Sequence, residues 1–243
     1  MQPMKAMLLA AGLGTRLRPW TDDRPKCMVT VAGRPMIDWT IDWLHAQGID
    51  DLVVNLHHQR DIVVAHLGDG RAHGVRIAYS AEESLLGTAG AVVAARDLLG
   101  PGRFLVVYAD NLIRCDLPTL LAHHDAAGAA MTVALHWRTD VSTSGVAELE
   151  PDDRVRQFVE KPRPGVTSSQ WVSAGLLVCE ETVHAYIPRQ GASDFGRDVI
   201  PTMIADGQHV HGYRMEPPDR LLWIDTPEDL VRTEHELAAD TTR

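Results

Sequence analysis

The chain has little of what marks secreted, membrane-bound or nucleic-acid-binding proteins. Its cysteines are three in 243 residues, Cys27, Cys115 and Cys179, far apart and with no C-x-x-C pair. That excludes a disulfide framework or a cysteine zinc site, and fits reduced thiols in a cytoplasmic protein. No apolar run nears the roughly 20 residues of a membrane span. The opening "MQPMKAMLLAAG" has a hydrophobic stretch too short for a signal peptide before it meets a glycine turn. Positive charge is scarce as well, with 23 basic against 33 acidic residues and a net charge of −10. A general binder of nucleic acid or membrane surfaces rests on the opposite balance. Linkers, repeats and low-complexity segments are missing, so one domain over residues 1–243 is the economical expectation.

Two familiar phosphate motifs are also missing. Gly12-Leu13-Gly14 follows an apolar run, but a dinucleotide fingerprint needs a glycine where Leu17 stands, and there is no G-x-x-x-x-G-K-S/T. What does follow the turn is Arg16, Arg18, Arg24 and Lys26. On an acidic chain such a cluster points to an anionic ligand. Glycines let backbone N–H groups approach it closely, and an arginine fork grips phosphate oxygens bidentately.

The hydrophobic pattern supplies a frame for that cluster. Residues 5–11, 51–56, 75–80, 103–110 and 131–137 read as buried strands, with helical spacing over Met36–Gln47, Gln59–Leu67, Thr88–Leu99 and Leu117–Ala127. Such alternation predicts an α/β fold, a mostly parallel sheet with helices on both faces and ligands beyond the carboxyl ends of its strands. The glycine turn and Asp110, which ends "RFLVVYAD", then share one rim. After about residue 140 the pattern changes. "GVAELEPDDRVRQFVEKP" reads as a hairpin turning at Pro151–Asp153, "WVSAGLLVCE" and "RLLWID" as strands, and "DFGRDVIPTMIADG" and the stretch from Pro227 as helices.

The long stretch "AAGLGTRLRPWTDDRPKCMVTVAG" closely resembles the signature of the sugar-1-phosphate nucleotidylyltransferases, G-x-G-T-R-L-x-P-L-T-x-x-x-P-K-x-M/L-x-x-V/I, with Trp20 in a usual leucine's place. Matches continue in order along nearly the whole chain. The resemblance implies a Rossmann-like sheet, with a nucleotide-binding half over 1–140 and an elaborated sugar-binding half over 141–243. With the sequence ending near residue 243, the left-handed β-helix domain that many relatives add is not expected. The implied substrates would be a nucleoside triphosphate and a sugar 1-phosphate, with no nucleic acid or membrane partner and room for a homodimer.

Site residues carry over position by position. Leu9, Ala10, Ala11, Gly12, Gly14 and Thr15 would hold the nucleotide, with Arg16 and Lys26 as the catalytic cations. "EESLLGTAGAV" resembles the loop over the base, where Glu82, Gly87, Thr88 and Ala89 would contact it. In "VVYADNL", Asp110 would bind Mg²⁺ and Asn111 the sugar phosphate. "VEKP" brings Glu160 for sugar hydroxyls and Lys161 for the phosphate. "WVSAGLLVCE" places Ser173 where the family usually has asparagine, followed by Gly175. "LLWIDTPEDL" is two residues shorter than the usual closing motif, or else Asp225 fills its glycine position; either way Asp225 is the choice for second metal ligand. Thr226, Pro227 and Glu228 also read as a helix cap, first-turn proline and acidic first turn.

"LLGTAGA" looks most like the guanylyl-transferring branch, so GTP is favoured. The alternatives are cytidylyl, thymidylyl or uridylyl transfer to another sugar or alcohol phosphate, or a non-catalytic regulatory homologue. His57-His58 and His123-His124 read as surface or loop histidines rather than metal ligands, because neighbouring residues point in different directions.

Overall fold

The computed structural model describes residues 4–241. Met1–Pro3, the head of the stretch weighed as a leader peptide, and Thr242–Arg243 lie outside them. Strand β1 (Lys5–Leu9) ends in the glycine turn; after the basic loop come a small ladder, β2 (Thr30–Val31) and β3 (Arg34–Pro35), and helix α1 (Met36–Ala46). The first half continues through β4 (Asp51–Leu56), α2 (Arg60–Leu67), β5 (Arg76–Ala81), α3 (Gly87–Ala94), α4 (Arg96–Leu99), β6 (Phe104–Tyr108), β7 (Asn111–Arg114), α5 (Leu117–Ala127) and β8 (Met131–Trp137). The second half holds β9 (Gly145–Leu149), β10 (Val155–Glu160), β11 (Trp171–Cys179), α6 (Ile200–Ala205), β12 (Val210–Arg214), β13 (Arg220–Trp223) and α7 (Pro227–Thr241).

A nine-stranded sheet runs through both halves in the order β10-β9-β11-β6-β1-β4-β5, with β8 beside β11 and β12 beside β8. The expected parallel part is β5-β4-β1-β6. Beyond it β11 pairs antiparallel with β6, β8 and β9, and β9 antiparallel with β10, to which a hairpin joins it, while β12 runs parallel to β8. Alternation along each strand sorts side chains to two faces. Ala6 and Leu8 pack with Ile37, Ile41 and Leu44 of α1 and with Leu117 and Leu120 of α5. Met7, Val53 and Val106 face the other way, against Ala91 and Val92 of α3 and Ile200 and Met203 of α6. Each fully buried Leu or Ile contributes about 1.5–3 kcal/mol of transfer free energy, so both faces are firmly covered.

A third apolar cluster fixes the basic loop. Leu17 is fully buried with Val31, Met36, Leu222 and Leu230, which ties the loop to α1, β13 and α7. The helix expected over Thr88–Leu99 breaks at Ala95 into α3 and α4. The "DFGRDVIP" helix starts as a wide turn over Phe195–Val199, where Pro201 has no N–H for the usual ladder. The ladder β2–β3 and strands β7 and β12 escape the pattern, whereas "RLLWID" holds β13 as expected.

Candidate active site

Only glycine fits at position 14. Its φ is +61°, and a Cβ there would lie 2.8 Å from Lys26 Cβ and 2.9 Å from Thr21 Cγ2. The turn thus folds tightly onto Lys26, and Thr21 Oγ1 donates to the Gly14 carbonyl at 2.9 Å. Lys26 follows Pro25 in a short helical turn and its side chain is only 6% exposed. Its Nζ donates to Asp110 Oδ2 at 2.8 Å and to Asp225 Oδ1 at 2.9 Å. Burial works against this ammonium, but the two carboxylates outweigh it and raise its pKa above the usual 10.5. An ammonium buried this deeply without partners would shed its proton. Arg16 Nη2 also reaches Asp225 Oδ1, at 3.1 Å, from an exposed position.

The sheet explains how residues so distant in sequence meet. Strand β13 pairs antiparallel with β7, setting Trp223 opposite Asn111. Asp110 stands one residue before that pair and Asp225 two after it, so their carboxylates share one rim. Asn111 links the strands again: its Nδ2 donates to Asp110 Oδ1 at 3.3 Å, and the Ile224 N–H donates to its Oδ1 at 3.3 Å. The Asp225 and Thr226 N–H groups donate to Asp229 Oδ2 at 3.1 and 3.0 Å, and the Asp229 N–H donates to Thr226 Oγ1 at 3.2 Å. This reciprocal cap at the start of α7 fixes the backbone carrying Asp225.

Two cavities meet at Asp110. The first, about 260 Å³, is walled by Leu9, Ala10, Ala11 and Gly12 on one side and by Glu82, Gly87 and Thr88 on the other. Behind them the Ala10 N–H donates to Asn55 Oδ1 at 2.7 Å, Asn55 Nδ2 donates to Glu82 Oε1 at 2.7 Å, and the Leu86 N–H donates to Glu82 Oε2 at 3.1 Å. The second, about 280 Å³, is lined by Arg16, Asn111, Glu160, Lys161, Ser173, Gly175 and Asp225, with Arg138 and Trp223 beside them. Thr88, Tyr108, Asp110 and Asp194 belong to both walls.

Glycines shape the second cavity. A Cβ at Gly196 would come within 2.5 Å of Glu160 Oε2, and one at Gly145 within 2.7 Å. Burial raises the Glu160 pKa above its usual 4.5, with Lys161 and Arg197 opposing. Lys161 takes a left-handed φ of +51°, unusual for a residue with a Cβ. Gly175, at φ +75°, lies in a bulge of β11 where a Cβ would press on Tyr108 at 2.9 Å. The Gly175 N–H donates to Ser173 Oγ at 3.3 Å, which leaves the serine hydroxyl proton for a ligand.

Three residues expected at the ligand are not in either wall. Gly14 is a packing position, Thr15 is exposed in the loop, and Ala89 is buried in α3. Its N–H donates to the Ser193 carbonyl at 2.9 Å, so it has none for a base. Arg18 and Arg24 pair with Asp22 and Asp23 at 3.3 and 2.8 Å and stay within the loop. His58 is exposed, but His124 is buried, with Nδ1 2.8 Å from Thr132 Oγ1 and Nε2 3.1 Å from Glu180 Oε1. It is therefore a core histidine and not the surface one expected. Sequence reasoning also missed Asn55, Tyr108, Arg138, Asp194 and Trp223. Asn55 carried a signal, a lone amide inside the apolar run "DLVVNL", and Tyr108 and Trp223 lie inside "VVYADNL" and "LLWIDTPEDL".

The donor set at the junction suits a hard divalent cation. Asp110 and Asp225 each offer a carboxylate oxygen to the same ammonium, so those oxygens lie no farther apart than the sum of the two hydrogen bonds. Two oxygens sharing one Mg²⁺ at about 2.1 Å each would be about 4 Å apart or less, within reach of small side-chain rotations. Among the described residues no helix is long and apolar enough to cross a membrane.

Residues 5–237 match the family model described as Nucleotidyl transferase. Mannose-1-phosphate guanylyltransferase of Mycobacterium tuberculosis is 34% identical over 230 residues, covering 93% of this chain and 62% of that protein. UTP–glucose-1-phosphate uridylyltransferase of Synechocystis sp. is 31% identical over 235 residues, covering 91% of this chain and 60% of that protein. The chain thus spans about three fifths of the length of these curated relatives. Among solved structures, a putative glucose-1-phosphate thymidylyltransferase from Bacillus anthracis superposes with a TM-score of 0.84 at 24% identity, covering 96% of this chain and 94% of that one. HddC from Yersinia pseudotuberculosis, complexed with GMP-PN, gives 0.80 at 21% identity over 96% and 99% of the two chains. Both share the fold.

Proposed function

The chain belongs to the nucleotidyl transferase family, and from that premise we propose that it joins a nucleoside monophosphate to a sugar 1-phosphate, releasing pyrophosphate. The observation that carries this reading is the Lys26 ammonium bridging Asp110 and Asp225 where the two cavities meet. The first cavity would take the nucleotide and the second the sugar phosphate, the two halves acting as one domain. A sugar phosphate oxygen attacks the α-phosphorus, and the bond to the β-phosphate oxygen breaks in line, its electron pair leaving with pyrophosphate. The attacking phosphate is already ionised at neutral pH, so no general base is needed. Catalysis comes from alignment and charge neutralisation.

Within that scheme Lys26 and Arg16 oppose the charge of the triphosphate and of the leaving group. Lys161 orients the attacking phosphate, and Glu160, Asn111 and Ser173 hold the sugar. Asp110 and Asp225 would hold Mg²⁺, which supplies further neutralisation of phosphate charge when bound. GTP is the favoured nucleotide. Glu82 presents a carboxylate pinned by Asn55 and the Leu86 N–H, a fixed acceptor. Guanine offers it an exocyclic amine that uracil and thymine lack. The relative from Mycobacterium tuberculosis, named a guanylyltransferase, supports the same choice. Cytosine also carries an exocyclic amine, so CTP is the second reading.

The test is a matrix of GTP, CTP, UTP and dTTP against sugar 1-phosphates. GTP should give the highest kcat/KM with every accepted sugar. A preference for UTP or dTTP would overturn the role of Glu82.

A further inference from the structure

Away from the junction of cavities, a second constellation of ligating groups stands between α1 and α2. Asp38 lies in the first turn of α1, His66 in the last turn of α2, and His73 ends the short turn Arg71–His73. One ligand atom from each lies within 4.8 Å of the other two. Three separate pieces of chain converge there for a structural reason. Gly70 and Gly74, at φ +88° and +75°, bound the turn that carries His73, and a Cβ on Gly70 would meet Ile77 and Val75 within 2.9 Å. The Asp38 carboxylate is buried, and its hydrogen-bonding partner is His66 Nε2 at 2.8 Å.

We propose that Asp38, His66 and His73 form a site for one divalent transition-metal ion of the zinc class, clasping α1 to α2. Two imidazoles and one carboxylate are the donors such an ion takes, with a fourth position left to water, whereas Mg²⁺ favours an all-oxygen shell. A tetrahedral ion with bonds of about 2.0–2.2 Å spaces its ligands about 3.3–3.5 Å apart. The His66–Asp38 hydrogen bond must then open by about half an ångström and His73 swing in, motions that the exposed His66 ring permits. A carboxylate suited to the outer shell stands nearby. Asp42, one helical turn beyond Asp38, sets its Oδ1 4.0 Å from His73 Nδ1, and Arg34 anchors its other oxygen at 2.6 Å. A metal-bound histidine usually gives its second N–H to such a carboxylate, which fixes the ring. This site is independent of the proposed reaction.

Cobalt(II) is a suitable probe, because its visible bands report histidine ligation in a tetrahedral site. The whole chain is stripped with chelator and titrated with Co²⁺ under excess Mg²⁺. The expected result is one saturable equivalent, displaced by Zn²⁺, and a higher melting temperature with Zn²⁺. His73→Ala and Asp38→Asn should each weaken binding at least about tenfold, while Asp110→Asn and His211→Ala leave it unchanged. Circular dichroism confirms that each variant is folded, and His73→Gln replaces any that is not. No saturable band would reduce the cluster to an Asp38–His66 hydrogen bond and overturn the site. So would a band that survives the His73 and Asp38 substitutions, or one lost with Asp110→Asn or His211→Ala.

Discussion

At the residue scale the account turns on Lys26. Its ammonium is held by two carboxylates in a nearly closed setting, and preorganised charge of this kind is what a transition state that releases pyrophosphate requires. Lys26→Ala should lower kcat by about 10²–10³-fold with an unchanged circular dichroism spectrum; a kcat close to that of the unaltered chain would contradict the assignment. The raised pKa of Lys26 sets the pH window. The stability it adds is fully present below 10.5 and is lost only as pH climbs through the higher folded value. Neither the melting temperature nor the activity should therefore show a Lys26 transition in the neutral range. Ser173 bears on the other substrate. Its hydroxyl can donate one hydrogen bond where an asparagine amide donates two, so Ser173→Asn should change KM for the sugar phosphate or the sugar preference while KM for the nucleotide stays put. An unchanged sugar response would remove Ser173 from the sugar wall.

At the scale of elements, the start of α7 governs the rim. The backbone of Asp225 is held by Asp229, whose carboxyl also pairs with Arg232 at 2.7 Å. Burial alone would raise the Asp229 pKa, but the Arg232 bond and the two backbone N–H groups lower it below the usual 3.8. Its contribution is present above that value and is lost as pH falls through the depressed one. Asp229→Ala should cost about 0.5–2 kcal/mol, read as a lower melting temperature at neutral pH that converges with the parent chain's in strong acid. It should also reduce activity by freeing Asp225; full stability at neutral pH would show that the cap is idle. The sequence made the helix start legible through Thr226-Pro227-Glu228, but not the carboxylate that holds it. The same limit applies elsewhere. Period-two and helical spacing revealed the long strands and helices and "RLLWID", whereas β7, four residues long, shows itself only in its pairing with β13. Ala89 looked like a base contact because small residues at a helix start suit both ligand and packing, and the Ser193 carbonyl decides for packing. Asp194, in a stretch that reads only as a helix, is recruited by the fold alone, and Tyr108 lies inside "VVYADNL" but is drawn to both cavities only by the fold.

At the scale of the molecule, one sheet carries both cavities, and its two halves meet where β6 pairs with β11. A nucleotide held at β1 and α3 and a sugar phosphate held at β10 and β11 would come together at Asp110, and neither half contains the whole constellation. The proposed reaction is attack on the α-phosphorus by a sugar phosphate. It is tested most directly by following label from GTP carrying ³²P at the α or the γ position, with and without a sugar 1-phosphate. The α-label should enter a nucleotide sugar and the γ-label leave as pyrophosphate, only when the sugar phosphate is present. Both signals should fall with Asp110→Asn. Transfer of γ-label to the sugar, or its release as orthophosphate, would contradict the proposed reaction.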